Sequence, residues 1–415
     1  GPIAQGTQLT VSGEGRDTRT WEVEDPMAEL EERLQQLPAV QLPGLPRFCG
    51  GAVGYAGYDV VRYCEHLPAP PEDDRQLPDL FFAFYDRMVV FDHINKTVLV
   101  VSYARPGTGD PSEEYARACG RVDETCEKLV EGGEDLQLAD IDPARVTERE
   151  WESNVTRDDF ETAVETCKEY IRAGDIFQVV LSQRFESKIT KTPLEIYKKL
   201  RISNPSPFMF FFNFNDFQII GSSPEILVRL RRNKITIRPI AGTRPRGLNA
   251  KKDKLYKKQL LNDKKELSEH LMLLDLGRND VGKVCKVNSV KVTEKFRIEK
   301  YSHVMHIVSN VEGTFDKRKS LLDTMLAGFP AGTVTGAPKI RAMEIIDKLE
   351  KSKRKMYAGS IGYFSANKNF DTCIALRTAL IKNNKFYIQS GAGIVADSIP
   401  EKEYLETVNK AKALI

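Results

Sequence analysis

The chain has 415 residues, 41% hydrophobic and 29% charged, an ordinary globular composition long enough for one large or two intertwined domains. No run reaches 18 apolar residues and no signal peptide is legible, so neither a membrane span nor export is indicated. Seven cysteines, at 49, 64, 119, 126, 167, 285 and 373, form no CxxC pair, which argues against a disulfide framework or zinc ribbon and fits a reducing cytoplasm.

A formal net charge of +2 hides an asymmetry: residues 1–150 hold 14 Lys and Arg against 29 Asp and Glu, and the remainder 47 against 30. One reading is an acidic part docked on a basic, anion-binding part. The favoured reading is two halves of different origin, as in a chimera. A functional field would not require Lys in place of Arg, and only Lys96 and Lys128 precede residue 150.

In chain order, residues 1–48 read as polar, with one short helix at 26–36 carrying Leu30 and Leu34 at helical spacing. The chain opens on Gly1 rather than Met, so a trimmed start is expected. Proline-rich 38–46 reads as a linker, and 50–58 as a glycine-spaced strand suited to close sheet packing. Strands are expected at 80–84, 88–91 and 97–103, with a turn at 93–96, then a helix at 115–129. The acidic stretch 132–146 is the expected boundary between an N-terminal region (1–145) and a catalytic domain (146–415).

Thr156 caps a helix to 173, Asp158 and Asp159 favouring its positive end. A strand at 176–184, a helix at 193–200 and an aromatic hairpin at 208–212 and 217–221 follow. The basic run 251–265 lacks interleaved aromatics and reads as a solvated face rather than a nucleic-acid site. Helices are expected at 264–276, 321–326, 338–348 and 402–413. A loop then a strand is expected across 296–313, with further strands at 357–365, 371–381 and 385–390. Strands joined mostly as hairpins, with helices interspersed, predict an α+β fold: a sandwich of largely antiparallel sheets flanked by helices.

Residues 237–247 read as a strand entering a rigid loop. Pro239 and Pro245 stop regular pairing, and Gly242 lets backbone approach a ligand. Arg238, Arg244 and Arg246 crowd there, either as partners for a carboxylate or phosphate or as solvated arginines. Glu266 and Glu269, and likewise Glu403 and Glu406, share a helix face at i,i+3 spacing. Two such faces meeting would repel unless a cation lay between them, and hard oxygen ligands without nearby Cys or His favour Mg²⁺; either pair alone also reads as a solvated face. Gly332–Lys339 lacks the phosphate-loop spacing, and a His303–His306 metal pair lacks a third ligand.

Pro239-Ile-Ala-Gly-Thr-Arg-Pro-Arg-Gly247 resembles the signature of the chorismate-utilising enzymes, specifically the family of anthranilate synthase large subunits. The resemblance continues through Gly221-Ser-Ser-Pro-Glu225, Asp275-Leu-Gly-Arg-Asn-Asp280, Gly332-Thr-Val-Thr-Gly-Ala-Pro-Lys339 and Gln389-Ser-Gly-Ala-Gly393. It implies Mg²⁺-dependent amination of chorismate by ammonia, with pyruvate loss to anthranilate. Glu269 and Glu406 match the family's metal ligands, with Glu266 and Glu403 acidic neighbours, Glu266 also standing among the catalytic candidates. Glu225 matches the general acid, and would need burial or a carboxylate neighbour to stay protonated near neutrality. His306 and Thr333 match further catalytic positions. Gly242, Thr243, Tyr357, Arg377, Gly391, Ala392 and Gly393 match substrate contacts.

Pro207, Phe208 and Met209 match an inhibitory tryptophan site. A family Leu-Leu-Glu-Ser segment is not found, so weak or no feedback is expected. Ala241 stands where sister enzymes, such as aminodeoxychorismate synthase, commonly carry Lys, and it leaves room for free ammonia. No glutaminase sequence is present, so ammonia is expected from bulk or from a separate glutamine amidotransferase subunit in a hetero-oligomer. Neither nucleic acid nor membrane is expected as a partner. Aminodeoxychorismate synthase and an inactive anion-binding homologue remain the alternatives.

Overall fold

The computed structural model describes the chain apart from residues 14–15, 38–42, 106–108, 132–149, 215, 302–303, 413 and 415. The acidic stretch 132–146 with the boundary expected at 145/146, about half of the proline-rich linker, and His303 lie outside the described residues. The chain forms two units, one of residues 1–55, 80–141 and 362–371, the other of 56–79, 142–361 and 372–415.

In the first unit Pro2–Gln5, Gln8–Gly13 and Arg16–Glu22 form an antiparallel meander, and Pro2–Gln5 also pairs with Leu80–Tyr85. This corrects the reading of the first 48 residues as a polar stretch with a single helix. Ala4 and Leu9 are fully buried while Gln5 and Gln8 face solvent, an alternation too short to stand out in sequence. The Pro26–Gln35 helix is capped by Asp25, which accepts from Met27 N at 2.8 Å, and buries Leu30 and Leu34. In the glycine-spaced strand Gly51–Ala56, a Cβ at Gly54 would stand 1.9 Å from Phe81 O, so the close packing is real.

The second unit holds two antiparallel strand sets. In one, Val304–Thr314 pairs with Lys234–Ile237 and Ile240–Pro245, and with Lys291–Lys300; Ile226–Arg231 pairs with Lys234–Ile237. The loop expected at the start of 296–313 is therefore a strand pair, interrupted by register shifts and a positive φ at Phe296. The other runs in the order Phe208–Asn213, Phe217–Ser223, Thr378–Lys382, Lys385–Ile394, Gln178–Lys188, Gly336–Ala337. The architecture is α+β, antiparallel sheets flanked by helices.

The helices Arg157–Arg172 and Lys339–Leu349 cover one face of the second set, closing over Val179, Leu181, Ala392 and Ile394. Each fully buried Val, Ile or Leu there contributes roughly 1.5–3 kcal/mol. Thr156 accepts from Asp159 N, and Thr192 with Glu195 forms a capping box for Pro193–Ser203. Pro338 occupies the position just before its helix and makes no side-chain cap bond. The helix expected at 264–276 runs on to Gly282, through the Asp275–Asp280 motif. The strand expected across 371–381 breaks into Phe370–Ile374 and Thr378–Lys382, because Arg377 adopts φ +48. Among the described residues no helix is long and apolar enough to cross a membrane.

Candidate active site

The chain passes from one strand set of the second unit to the other at Ser223-Pro224-Glu225, since Pro224 can continue neither ladder. The break at 375–377 lies beside it: Ser223 Oγ donates to Ile374 O at 2.6 Å, Ile374 N to Glu225 O at 3.0 Å, and Ser222 N to Arg377 O at 3.1 Å. Glu225 is thereby buried, 6% exposed, and burial pushes its carboxyl up to about 8. The Thr333 hydroxyl and the Ile240 backbone oppose that rise, although Thr333 Oγ1 does not reach full hydrogen-bond geometry. At neutral pH Glu225 is an acid with a proton to give.

Gly242 forms a bulge between Ala241 and Thr243, with φ +75, and Thr243 faces His306 across the ladder. A Cβ at Gly242 would stand 3.0 Å from Glu266 Oε2. His306 Nδ1 lies 3.0 Å from Thr243 Oγ1 and 3.3 Å from Gly242 O. A carbonyl can only accept, so Nδ1 carries the proton and Nε2 of the neutral ring holds a lone pair. Burial lowers the His306 pKa, with nearby Arg377 acting in the same direction and Gly242 O opposing. Arg377 donates to Asn204 Oδ1 at 3.3 Å and interacts electrostatically with Tyr301, whose ring meets His306 edge-on at 5.5 Å.

Gly391, Ala392 and Gly393 pair with Ser182, Leu181 and Val180 on one side. On the other side the described ladder to Thr378–Lys382 stops at Ile388, leaving that edge of the glycine run without a strand. A Cβ at Gly391 would lie 2.6 Å from the Tyr357 hydroxyl, and one at Gly393 2.5 Å from Gln178 Nε2. The Tyr357 phenol is buried and pushed up to about 12, so it remains a neutral donor. Tyr357 precedes the strand Ser360–Ser365 rather than starting it.

The two acidic helix faces meet electrostatically. Burial raises the Glu269 pKa, with Glu266 and Glu406 adding to the rise; burial raises Glu403 too, with Glu406 contributing. Gln178 Nε2 donates to Glu269 Oε1 at 3.4 Å, while the buried Gln178 Oε1 has no partner among the described residues. Crowded carboxylates beside an unpartnered hard oxygen suit a divalent cation such as Mg²⁺. No three acidic, His or Cys side chains among the described residues already converge as ligands. Arg244 holds Glu266 at 2.8 Å and Lys410 holds Glu406 at 2.7 Å.

The arginine cluster is bound to carboxylates rather than open to an anion. Arg238 pairs with Glu299 at 2.6 Å, Arg244 with Asp263 and Glu266, and Arg246 with Asp253 at 2.9 Å. Lys339 pairs with Asp280 at 3.1 Å. Pro207 and Phe208 line a cavity of about 530 Å³ with Pro224, Ile240, Glu299 and Tyr301. Met209 points the other way, into the cluster around Ile220 and Ala379, so the three residues do not share one pocket. Asn204, Tyr301 and Gln178 carry no motif; only Gln178 had a signal, a polar residue inside an apolar strand.

A chorismate binding enzyme family model matches residues 2–415. The chain is 48% identical to anthranilate synthase component 1 of Pseudomonas aeruginosa over 411 residues, covering 98% of this chain and 82% of that protein. It is 47% identical to the Aquifex aeolicus protein of the same name over 398 residues, covering 95% and 79%. The crystal structure of anthranilate synthase component I from Streptococcus pneumoniae superimposes with TM-score 0.86 at 37% identity, covering 100% of this chain and 91% of that one. A putative isochorismate synthase from Bacillus anthracis shares the fold, with TM-score 0.65 at 20% identity and coverage of 100% and 94%.

Proposed function

The chain belongs to the chorismate binding enzyme family, and we propose how its own residues divide the work of converting chorismate to anthranilate. It is an enzyme of the anthranilate synthase component I kind, acting in tryptophan biosynthesis. The observation that carries the mechanism is the buried carboxylic acid of Glu225, protonated at neutral pH.

In the first step ammonia forms a bond to ring carbon 2, the ring double bonds shift, and the carbon 4 hydroxyl leaves as water. Glu225 supplies the proton that makes the hydroxyl a leaving group. Ala241 gives ammonia room and offers no competing amine. In the second step the proton on carbon 2 is removed, and the neutral His306 Nε2 is suited to accept it. The enolpyruvyl oxygen then departs, and its enol becomes pyruvate.

Arg377, Tyr357 and the glycine run Gly391–Gly393 hold the enolpyruvyl carboxylate, the glycines allowing close backbone approach. Thr243 orients His306, and Thr333 faces Glu225. Glu269 and Glu406, with Glu266 and Glu403 beside them, would hold Mg²⁺, whose charge offsets the ring carboxylate. Ammonia comes from a separate amidotransferase subunit or from bulk ammonium. The seven free thiols suit a cytoplasmic setting.

Glu225→Gln tests the mechanism. Turnover falls by about 10²–10⁴-fold while chorismate binding by calorimetry is kept. Turnover within a few-fold of wild type would remove Glu225 from the acid role.

A further inference from the structure

Arg354 lies between the pieces of the site and carries none of the family motifs. The residue is 2% exposed. Nη1 donates to Val334 O at 2.7 Å, Nη2 donates to Val180 O at 2.7 Å and to Glu350 Oε1 at 2.6 Å, and Nε donates to Glu350 Oε2 at 2.8 Å. The rings of Tyr58 and Tyr357 lie 5.0 and 5.4 Å from its central carbon. Glu350 is anchored in turn, its Oε1 accepting from Ser182 N and Ser182 Oγ at 2.8 Å each.

Three of these contacts, to Val334, Val180 and Tyr357, reach or adjoin candidate site groups. Val334 follows Thr333 in the turn Gly332–Val334. Val180 stands opposite Gly393 in the ladder. The Tyr357 hydroxyl lies over Gly391. We infer that Arg354 is a positioning residue, its planar fork setting the spacing among the Thr333 turn, the glycine run and the Tyr357 ring. The inference rests on the site assignment proposed above.

The chemistry favours spacing over charge. A buried ion pair is often replaceable by apolar groups without loss of stability, so stability alone does not require this one. A guanidinium is the side chain that can donate in one plane to two carbonyls and a carboxylate while also lying against aromatic rings. Lysine keeps the charge and cannot make that set of contacts.

The test compares wild type, Arg354→Lys and the double variant Glu350→Gln/Arg354→Met, which removes both buried charges. Steady-state turnover of chorismate with ammonium and Mg²⁺ is measured beside thermal unfolding. For the double variant the expected result is a wild-type-like unfolding midpoint with kcat/KM for chorismate still down by about 10²-fold, the scale of a misplaced substrate. Arg354→Lys folds and loses kcat/KM for chorismate similarly, with KM for ammonium unchanged. Recovery of kcat/KM together with the midpoint would overturn the inference, as would failure of both variants to fold, which would make Arg354 a fold-holding group only. No turnover by wild type would instead defeat the function proposed above.

Discussion

The Tyr357 hydroxyl occupies the space that a side chain on Gly391 would need, 2.6 Å from where a Cβ would stand. Leu181 O crowds the same point at 2.9 Å. The glycine therefore answers both to sheet packing and to the phenol that caps the backbone edge.

Gly391→Ala should separate those demands. The phenol can swing aside but the Leu181 carbonyl cannot, so the strand must shift. We expect kcat/KM for chorismate to fall by about 10²-fold, with a lower unfolding midpoint. Unaltered kinetics in a stable Gly391→Ala protein would mean that Tyr357 does not act over this edge.

Glu225 ties activity and stability to pH in one direction. Its folded pKa of about 8 lies above the ordinary carboxyl value. Below the ordinary range both folded and unfolded chains hold the proton, and burial carries no penalty. Between that range and about 8 only the folded chain holds it, so stability falls as pH rises. Glu225→Gln should remove that slope and gain up to about a few kcal/mol over wild type at alkaline pH. For wild type, turnover per unit of free ammonia should drop by about tenfold per pH unit beyond the folded pKa. A flat profile there would show that Glu225 gives no proton.

Mg²⁺ should raise the unfolding midpoint of wild type and leave that of Glu269→Ala unchanged. Saturation at 100 times the dissociation constant would stabilise by about 2.7 kcal/mol. Glu269→Ala should also lose metal-dependent turnover. An equal Mg²⁺ shift in both proteins would place the cation elsewhere.

Gly242→Ala meets two costs: a left-handed backbone at φ +75 and a Cβ 3.0 Å from Glu266 Oε2. We expect a loss of about 1 kcal/mol or more in stability and a fall in kcat/KM, because the bulge sets Thr243 against His306. A neutral substitution would show that the bulge relaxes without cost.

Parts of this site were legible in the chain because only certain residues tolerate the local geometry. Gly242 takes a left-handed backbone, Gly391 stands where a Cβ has no room, and Thr156 announces its helix. The break at Arg377 was not legible: residues 371–381 contain neither Gly nor Pro, and a left-handed Arg leaves no signal. The first three strands were missed because their outward residues include Gln, Thr and Arg, and few apolar residues such as Ala4 and Leu9 mark the core. The neutralised arginines were also hidden, since Arg244 finds Glu266 and Arg238 finds Glu299 across 22 and 61 residues.

The most direct measurement mixes the purified chain with chorismate, Mg²⁺ and ammonium at alkaline pH, follows anthranilate fluorescence, and identifies products by mass. Anthranilate and pyruvate formed in equal amounts, with no amidotransferase present, is the predicted result. Aminodeoxychorismate accumulating without pyruvate would contradict it, and would show that Ala241 does not select the reaction.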